Sequence, residues 1–210
     1  MSGNELRAAS LGVDIEGRML FNDVNFSVVS GQMLVITGAS GSGKTTLAHT
    51  LAGIIAPDRG EVTISGTPLR QLTALARPAL VPQDFGLVSA LTAAETVSLP
   101  LQVRALAKDE IRDRAANWLS ALGLEMCANR TVAELSGGQR QRVAIARSLL
   151  IGADVIVMDE PTAELDPDNR ALILSLLEDE LSRGAVLVVV SHETDVIARA
   201  DSVYELPTLR

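Results

Sequence analysis

The 210-residue sequence predicts an α/β fold, in which a mostly parallel sheet with helical covers carries a flanking antiparallel β subdomain and an inserted helical subdomain. Three observations lead there. Short runs apolar on both alternations recur along the chain, helix-spaced segments separate them, and one long stretch holds no buried strand.

Residues 6–30 and 61–67 alternate apolar and polar positions and are punctuated by glycine, as antiparallel strands with one wet face require. MLVIT at 33–37 is the first run buried on both faces, and residues 44–53 follow it as a helix. IRDRAANWLSALGL then has helical spacing, and residues 138–151 continue it with Val143, Ile145, Leu149 and Leu150. These segments make a helical insert at about 84–151 within a core of about 1–83 and 152–210, the whole of 1–210 forming one domain. DVIVMD at 154–159, a helix over 168–182 containing ALILSLLEDEL, and AVLVVVS at 185–191 complete the parallel layer.

Composition narrows the function. At 47% hydrophobic and 21% charged the chain can bury a full core. A net charge of −8 argues against a broad nucleic-acid surface, which needs clustered Lys and Arg. The single cysteine, Cys127, forbids an intrachain disulfide and suits a reducing compartment as a small packing residue. The start MSGNELRAAS has no basic stretch leading into an apolar run, and AVLVVV at 185–190 is far below the roughly 20 residues that span a bilayer.

GASGSGKTT at 38–46 stands between a buried strand and a helix. There backbone N–H groups converge on phosphate oxygens and the helix dipole favours negative charge. Gly38, Gly41 and Gly43 allow close approach, Ala39, Ser40 and Ser42 complete the cradle, and Lys44 reaches the β and γ phosphates. The Thr45 hydroxyl suits Mg²⁺; Thr46 either touches the α phosphate or satisfies the first helical turn. ATP with Mg²⁺ is the expected ligand and the core is a P-loop ATPase core.

DVIVMDE at 154–160 ends a buried strand in two carboxylates, an expensive placement unless a cation is near. Asp159 would orient the Mg²⁺ shell and Glu160 would accept a proton from, or align, the attacking water. His192 ends the strand AVLVVVS, where doubly wound sheets bind ligands, and suits a γ-phosphate contact. His49, inside the helix after the loop, reads as structural.

LSGGQRQR at 135–142 goes further, and with it the sequence resembles the ATP-binding-cassette (ABC) ATPases over nearly its whole length. The resemblance implies that Ser136, Gly137, Gly138 and Gln139 of one copy contact the nucleotide on Lys44 of another, so that two copies sandwich ATP. It implies that Gln83 in VPQDFG reports on Mg²⁺ and the attacking water, and that Asp166 in AELD contacts the neighbouring subunit. A helix-capping role is the competing account of Asp166. The aromatic residue that stacks on adenine in the family is missing: Ile15 or Glu16 of GVDIEGR stands there, which predicts weaker adenine discrimination.

LVSALTAAETVSLPLQVR at 87–104 resembles the partner-facing region of transporter ATPases, notably the lipoprotein-release, macrolide-efflux and cell-division group. The resemblance implies a catalytic cycle carried by Glu160, His192, Gln83 and Lys44, and a homodimer or a heterodimer with another ABC ATPase subunit. It also implies an integral-membrane permease partner, no nucleic acid, and a cytoplasmic position on the inner face of the cell membrane. The alternative is a soluble ABC-type ATPase acting on nucleic acid or ribosomes. Members of that sort generally carry two cassettes or a long coiled coil, and this chain shows neither.

Overall fold

A computed structural model describes residues 4–104, 106–163 and 165–209, with only the backbone at Leu75. They gather into two compact units. One comprises Met1–Leu80, Ala153–Glu160 and Leu176–Arg210, the other Val81–Gly152 and Pro161–Ser175.

In the first unit the chain opens as a hairpin of β1 (Glu5–Ile15) and β2 (Arg18–Val29). Its two-residue turn places Glu16 at φ 53° and Gly17 at φ 81°, the twist a tight antiparallel reversal needs. The Asp14 carboxylate accepts the Gly17 N–H at 2.7 Å and fixes the tip. With β4 (Arg59–Ile64) and β5 (Thr67–Pro68) the hairpin forms an antiparallel sheet in the order β2-β1-β4-β5.

The second sheet of this unit holds β3 (Met33–Thr37), β6 (Ala79–Val81), β7 (Val155–Asp159), β8 (Val186–Val190) and β9 (Ser202–Glu205), in the order β6-β7-β8-β3-β9. The pairs of β8 with β7 and β3, and of β3 with β9, are parallel. Every residue of β7 and of β8 is buried, as the doubly apolar runs require. Helix α1 (Lys44–Leu51) buries Leu47, Ala48 and Leu51 in the same core as Leu11 and Phe21 of the antiparallel sheet and Ile36, Val157 and Val188 of the parallel one. Each of these side chains larger than alanine contributes about 1.5–3 kcal/mol through removal from water. That shared core sets the strand ends firmly.

In the second unit α2 (Ala93–Ser98), α3 (Lys108–Ala121) and α4 (Gly137–Leu149) pack on one another through Val97, Ile111, Ala115, Leu119, Val143 and Ile145. Three capping boxes, Thr92 with Glu95, Thr131 with Glu134 and Ser136 with Gln139, start helical turns here. Backbone bonds from Ala93 and Ala94 to the carbonyls of Arg130 and Ala128, and from Val132 to that of Leu91, lace the 91–94 and 128–132 segments together. Helix α5 is Pro167–Ser182 and α6 is Thr194–Ile197.

Candidate active site

The parallel register decides which side chains of the first unit meet. Met33 to Ile36 pair with Leu187 to Val190, and Val155 to Asp159 pair with Val186 to Val190, so β3, β7 and β8 end level. The Glu160 N–H bonds the Val190 carbonyl at 2.9 Å and the Ser191 N–H bonds the Ile36 carbonyl at 3.2 Å. The loop from Gly38, the Asp159–Glu160 pair and His192 therefore leave the same edge of the sheet, where open α/β folds place ligands.

Gly38 cannot be replaced without movement. It sits at φ 145°, and a Cβ there would lie 2.7 Å from the Leu206 carbonyl oxygen and 3.0 Å from Ser42 Oγ. Opposite Gly43, Leu20 and Phe21 of β2 pack so closely that a Cβ would lie 3.4 and 3.3 Å from them. The hairpin thus braces the loop. Lys44 Nζ donates to the Gly38 and Ala39 carbonyls at 2.8 and 2.9 Å, which holds its charge at the mouth of the loop. Ser42 Oγ is buried inside the loop with no hydrogen-bond partner among the described residues, a cost of about 1–3 kcal/mol that a phosphate oxygen would relieve. Ala39, Ser40, Gly41 and Thr45 are exposed, and Thr46 is half-buried on α1.

Asp159 is buried at the end of β7. Desolvation pushes its carboxyl pKa up, opposed by a hydrogen bond from the Thr45 hydroxyl and by the charges of His49 and Lys44. Its Oδ2 is buried without a hydrogen-bond partner among the described residues. Among those residues no three His, Cys, Asp or Glu cluster to hold a metal alone. The orphaned Asp159 oxygen beside the Thr45 hydroxyl nevertheless fits Mg²⁺, which takes one or two protein oxygens and completes its octahedron with water and substrate phosphates. His49 lies half-buried within α1, where the sequence reading puts it.

Glu160 has φ 51°, the left-handed region that costs a non-glycine residue roughly 1–2 kcal/mol. Strain of this kind collects where a side chain must be aimed. Here Glu160 Oε1 lies 2.8 Å from His192 Nδ1, with the glutamate largely buried and the imidazole 77% exposed. The hydrogen bond and charge of Glu160 raise the His192 pKa above the ordinary 6.5. A raised histidine pKa means the pair's contribution is complete below the unfolded value and fades as pH climbs through the folded one. In an NMR titration His192 should protonate above 6.5 in the native chain and move down in Glu160→Gln; equal midpoints would mean that the Glu160 charge does not hold the imidazole.

The second unit carries the remaining predicted residues. Ser136 caps α4: its Oγ accepts the Gln139 N–H at 3.3 Å, while Gln139 Oε1 accepts the Ser136 N–H at 3.0 Å and Nε2 donates to the buried Cys127 Sγ at 3.4 Å. The Gln139 amide is thereby committed to holding Ser136. The N–H groups of Gly137 and Gly138 lie in the unbonded first turn of a 13-residue helix, beside the Ser136 hydroxyl. Gln83 is exposed just beyond β6. The Asp166 carboxylate accepts both the backbone and side-chain N–H of Asn169, at 2.9 and 2.7 Å, and these bonds lower its pKa. Of the AELD stretch, Glu164 lies outside the described residues.

Residues 21–163 match the ABC transporter family. The chain belongs to that family. The cassette superposes on the dimeric structure of MJ0796, a bacterial ABC transporter cassette, with a TM-score of 0.88 and 30% identity, covering 98% of this chain and 99% of that one. The post-hydrolysis dimer of MJ0796 bound to ADP and Pi gives 0.89 and 31%, covering 98% and 97%. The structure of an ATP-binding subunit of an ABC transporter gives 0.86 and 26%, covering 96% and 85%. This cassette is an ABC transporter ATPase subunit with the P-loop fold; it binds ATP and hydrolyses it. Among its described residues no helix is long and apolar enough to cross a membrane.

Proposed function

We propose that the cassette powers a membrane transporter or a related transmembrane complex, two copies or two related subunits closing on ATP. The observation that carries this reading is the level edge of β3, β7 and β8. It sets a phosphate loop, an orphaned carboxylate oxygen and a Glu160–His192 pair side by side.

In this reading residues 1–210 are one ATPase domain with a helical insert at about 84–151. Lys44 and the loop amides hold the β and γ phosphates, and Thr45, Asp159 and Gln83 hold Mg²⁺. Bound there, Mg²⁺ would neutralise charge on the phosphates. Glu160 takes the proton of the attacking water, and His192, hydrogen-bonded to Glu160, contacts the γ phosphate. From the partner copy, Ser136, Gly137 and Gly138 close on the same phosphate, with Gln139 beside them and Asp166 at the subunit contact. MJ0796, whose cassettes are dimeric in its solved structures, supports this arrangement. Val88, Leu99 and Val103 leave apolar surface exposed along 87–104, the segment proposed to face an integral-membrane permease at the cytoplasmic side of the membrane.

Two variants separate a shared site from a self-contained one. Lys44→Ala removes the phosphate cation; Ser136→Asp keeps a good helix cap but repels phosphate. Each alone should be nearly inactive. Mixed one to one they should regain roughly a quarter of native turnover, because random pairing makes half the dimers mixed and each mixed dimer holds one intact site of two. A mixture still at background, with both variants folded, would count against the shared site.

A further inference from the structure

One side chain ties the loop after Gln83 to the helix that begins at Ser136. Arg147, in the last turns of α4, donates Nη1 to the Gly86 carbonyl at 2.6 Å and Nη2 to the Phe85 carbonyl at 2.9 Å. A single planar fork thus grips two consecutive carbonyls, a geometry that the point charge of lysine does not reproduce. Phe85 and Gly86 both stand in the left-handed region, at φ 64° and 53°. For Phe85 that conformation is unfavourable, so the loop holds a strained turn which the arginine satisfies. Gly86 packs against both: a Cβ there would be in van der Waals contact with Pro82 Cγ at 3.4 Å and Arg147 Nη2 at 3.7 Å. Burial desolvates the guanidinium, and the charge of Asp84 opposes that effect. The Phe85 N–H bonds the Pro82 carbonyl at 3.0 Å, so the gripped pair closes a turn that has Gln83 and Asp84 at its middle.

We propose that Arg147 is a positioning residue for Gln83, locking the 84–86 turn to α4 so that Gln83 and the Ser136 cap keep a fixed relation within the second unit. Its effect on turnover runs through Gln83 and so rests on the role given to Gln83 above.

A double-mutant cycle in the full chain tests this with Arg147→Lys, Gln83→Ala and the pair, read as kcat and KM for ATP. Arg147→Lys should lower kcat by about 10-fold at nearly unchanged KM, since small misplacements of a catalytic group cost this much or more. In the Gln83→Ala background the same substitution should change kcat less than about 2-fold, because coupled residues are not additive. Amide exchange at 85–87 should quicken in Arg147→Lys while the middle of α4 stays protected. Equal losses in both backgrounds, or no loss at all, would overturn the proposal and leave the role of Gln83 intact. An unchanged kcat in Gln83→Ala itself would remove that role and this proposal with it. Should Arg147→Lys fail to fold, Arg147→Gln, neutral but still a donor, carries the same cycle.

Discussion

Replacing Glu160 with Gln should lower ATP turnover by about 10²–10⁴-fold, the usual contribution of a general base, while leaving nucleotide binding in place. The substitution is nearly isosteric, and glutamine has no greater aversion than glutamate to the left-handed backbone at φ 51°. A side-chain oxygen still faces His192 Nδ1, so the contact now at 2.8 Å survives in its neutral form. What disappears is the capacity to take a proton from water. In the proposed cycle the closed state then has no exit, and ATP with Mg²⁺ should shift the variant from monomer to dimer in size-exclusion chromatography. Turnover within tenfold of native would assign the base elsewhere; a monomer under those conditions would break the sandwich for the isolated chain.

Asp159→Asn should separate stability from activity. The carboxylate is buried at the end of β7, desolvation raises its pKa, and Oδ2 has no hydrogen-bond partner among the described residues. Without nucleotide and metal that charge opposes folding. Asparagine keeps an acceptor for the Thr45 hydroxyl and removes the charge, so the ligand-free variant should melt higher than the native chain, by less than the charge alone would give because its amide N–H groups find no acceptor where Oδ2 stood. The sign follows from the direction of the shift: an acid whose folded pKa is raised destabilises the fold above that pKa. The native chain recovers the difference as pH falls through it, and the gain should shrink in acid. Mg²⁺-dependent hydrolysis should meanwhile collapse. Calorimetry with and without Mg²⁺ATP checks both halves; a lower ligand-free Tm in the variant would show that the carboxylate is already stabilised in the empty site.

The parts of this architecture that were legible in the sequence are those where one physical demand dominates. MLVI, VIVM and VLVVV are apolar at every position because both faces are covered, and such runs have few alternatives to a central parallel strand. The phosphate loop is legible for a similar reason, since Gly38 has no room for a side chain. The edges of the sheet were not legible. β6 is three residues between Pro78 and Pro82, and β9 is SVYE with three exposed positions, too short or too wet to show a period. Nor could sequence spacing place residues 161–175 with the helical unit, because α5 reads as a single amphipathic run across that division. At the site, residue identities were readable and their constraints were not. The left-handed Glu160, its contact with His192 and the Arg147 fork all depend on register between segments far apart in the chain. A lone arginine late in an amphipathic helix looks like an ordinary C-terminal charge.

The three capping boxes of the second unit differ in one atom group, and the difference follows the electrostatics of their surroundings. Thr92 and Thr131 are closed by Glu95 and Glu134, whose pKa values are lowered by the threonine bonds they accept, so each box keeps a full negative charge at neutral pH. Ser136 is closed by Gln139, which makes the reciprocal bonds with no charge at all. Where only the chain's own N–H groups need a partner, an anion at a helix start is an advantage. Where a phosphate is proposed to arrive, the same anion would compete with the guest. In a protein of net charge −8, an uncharged third box spares the incoming triphosphate one more repulsion at the place where it is to be gripped.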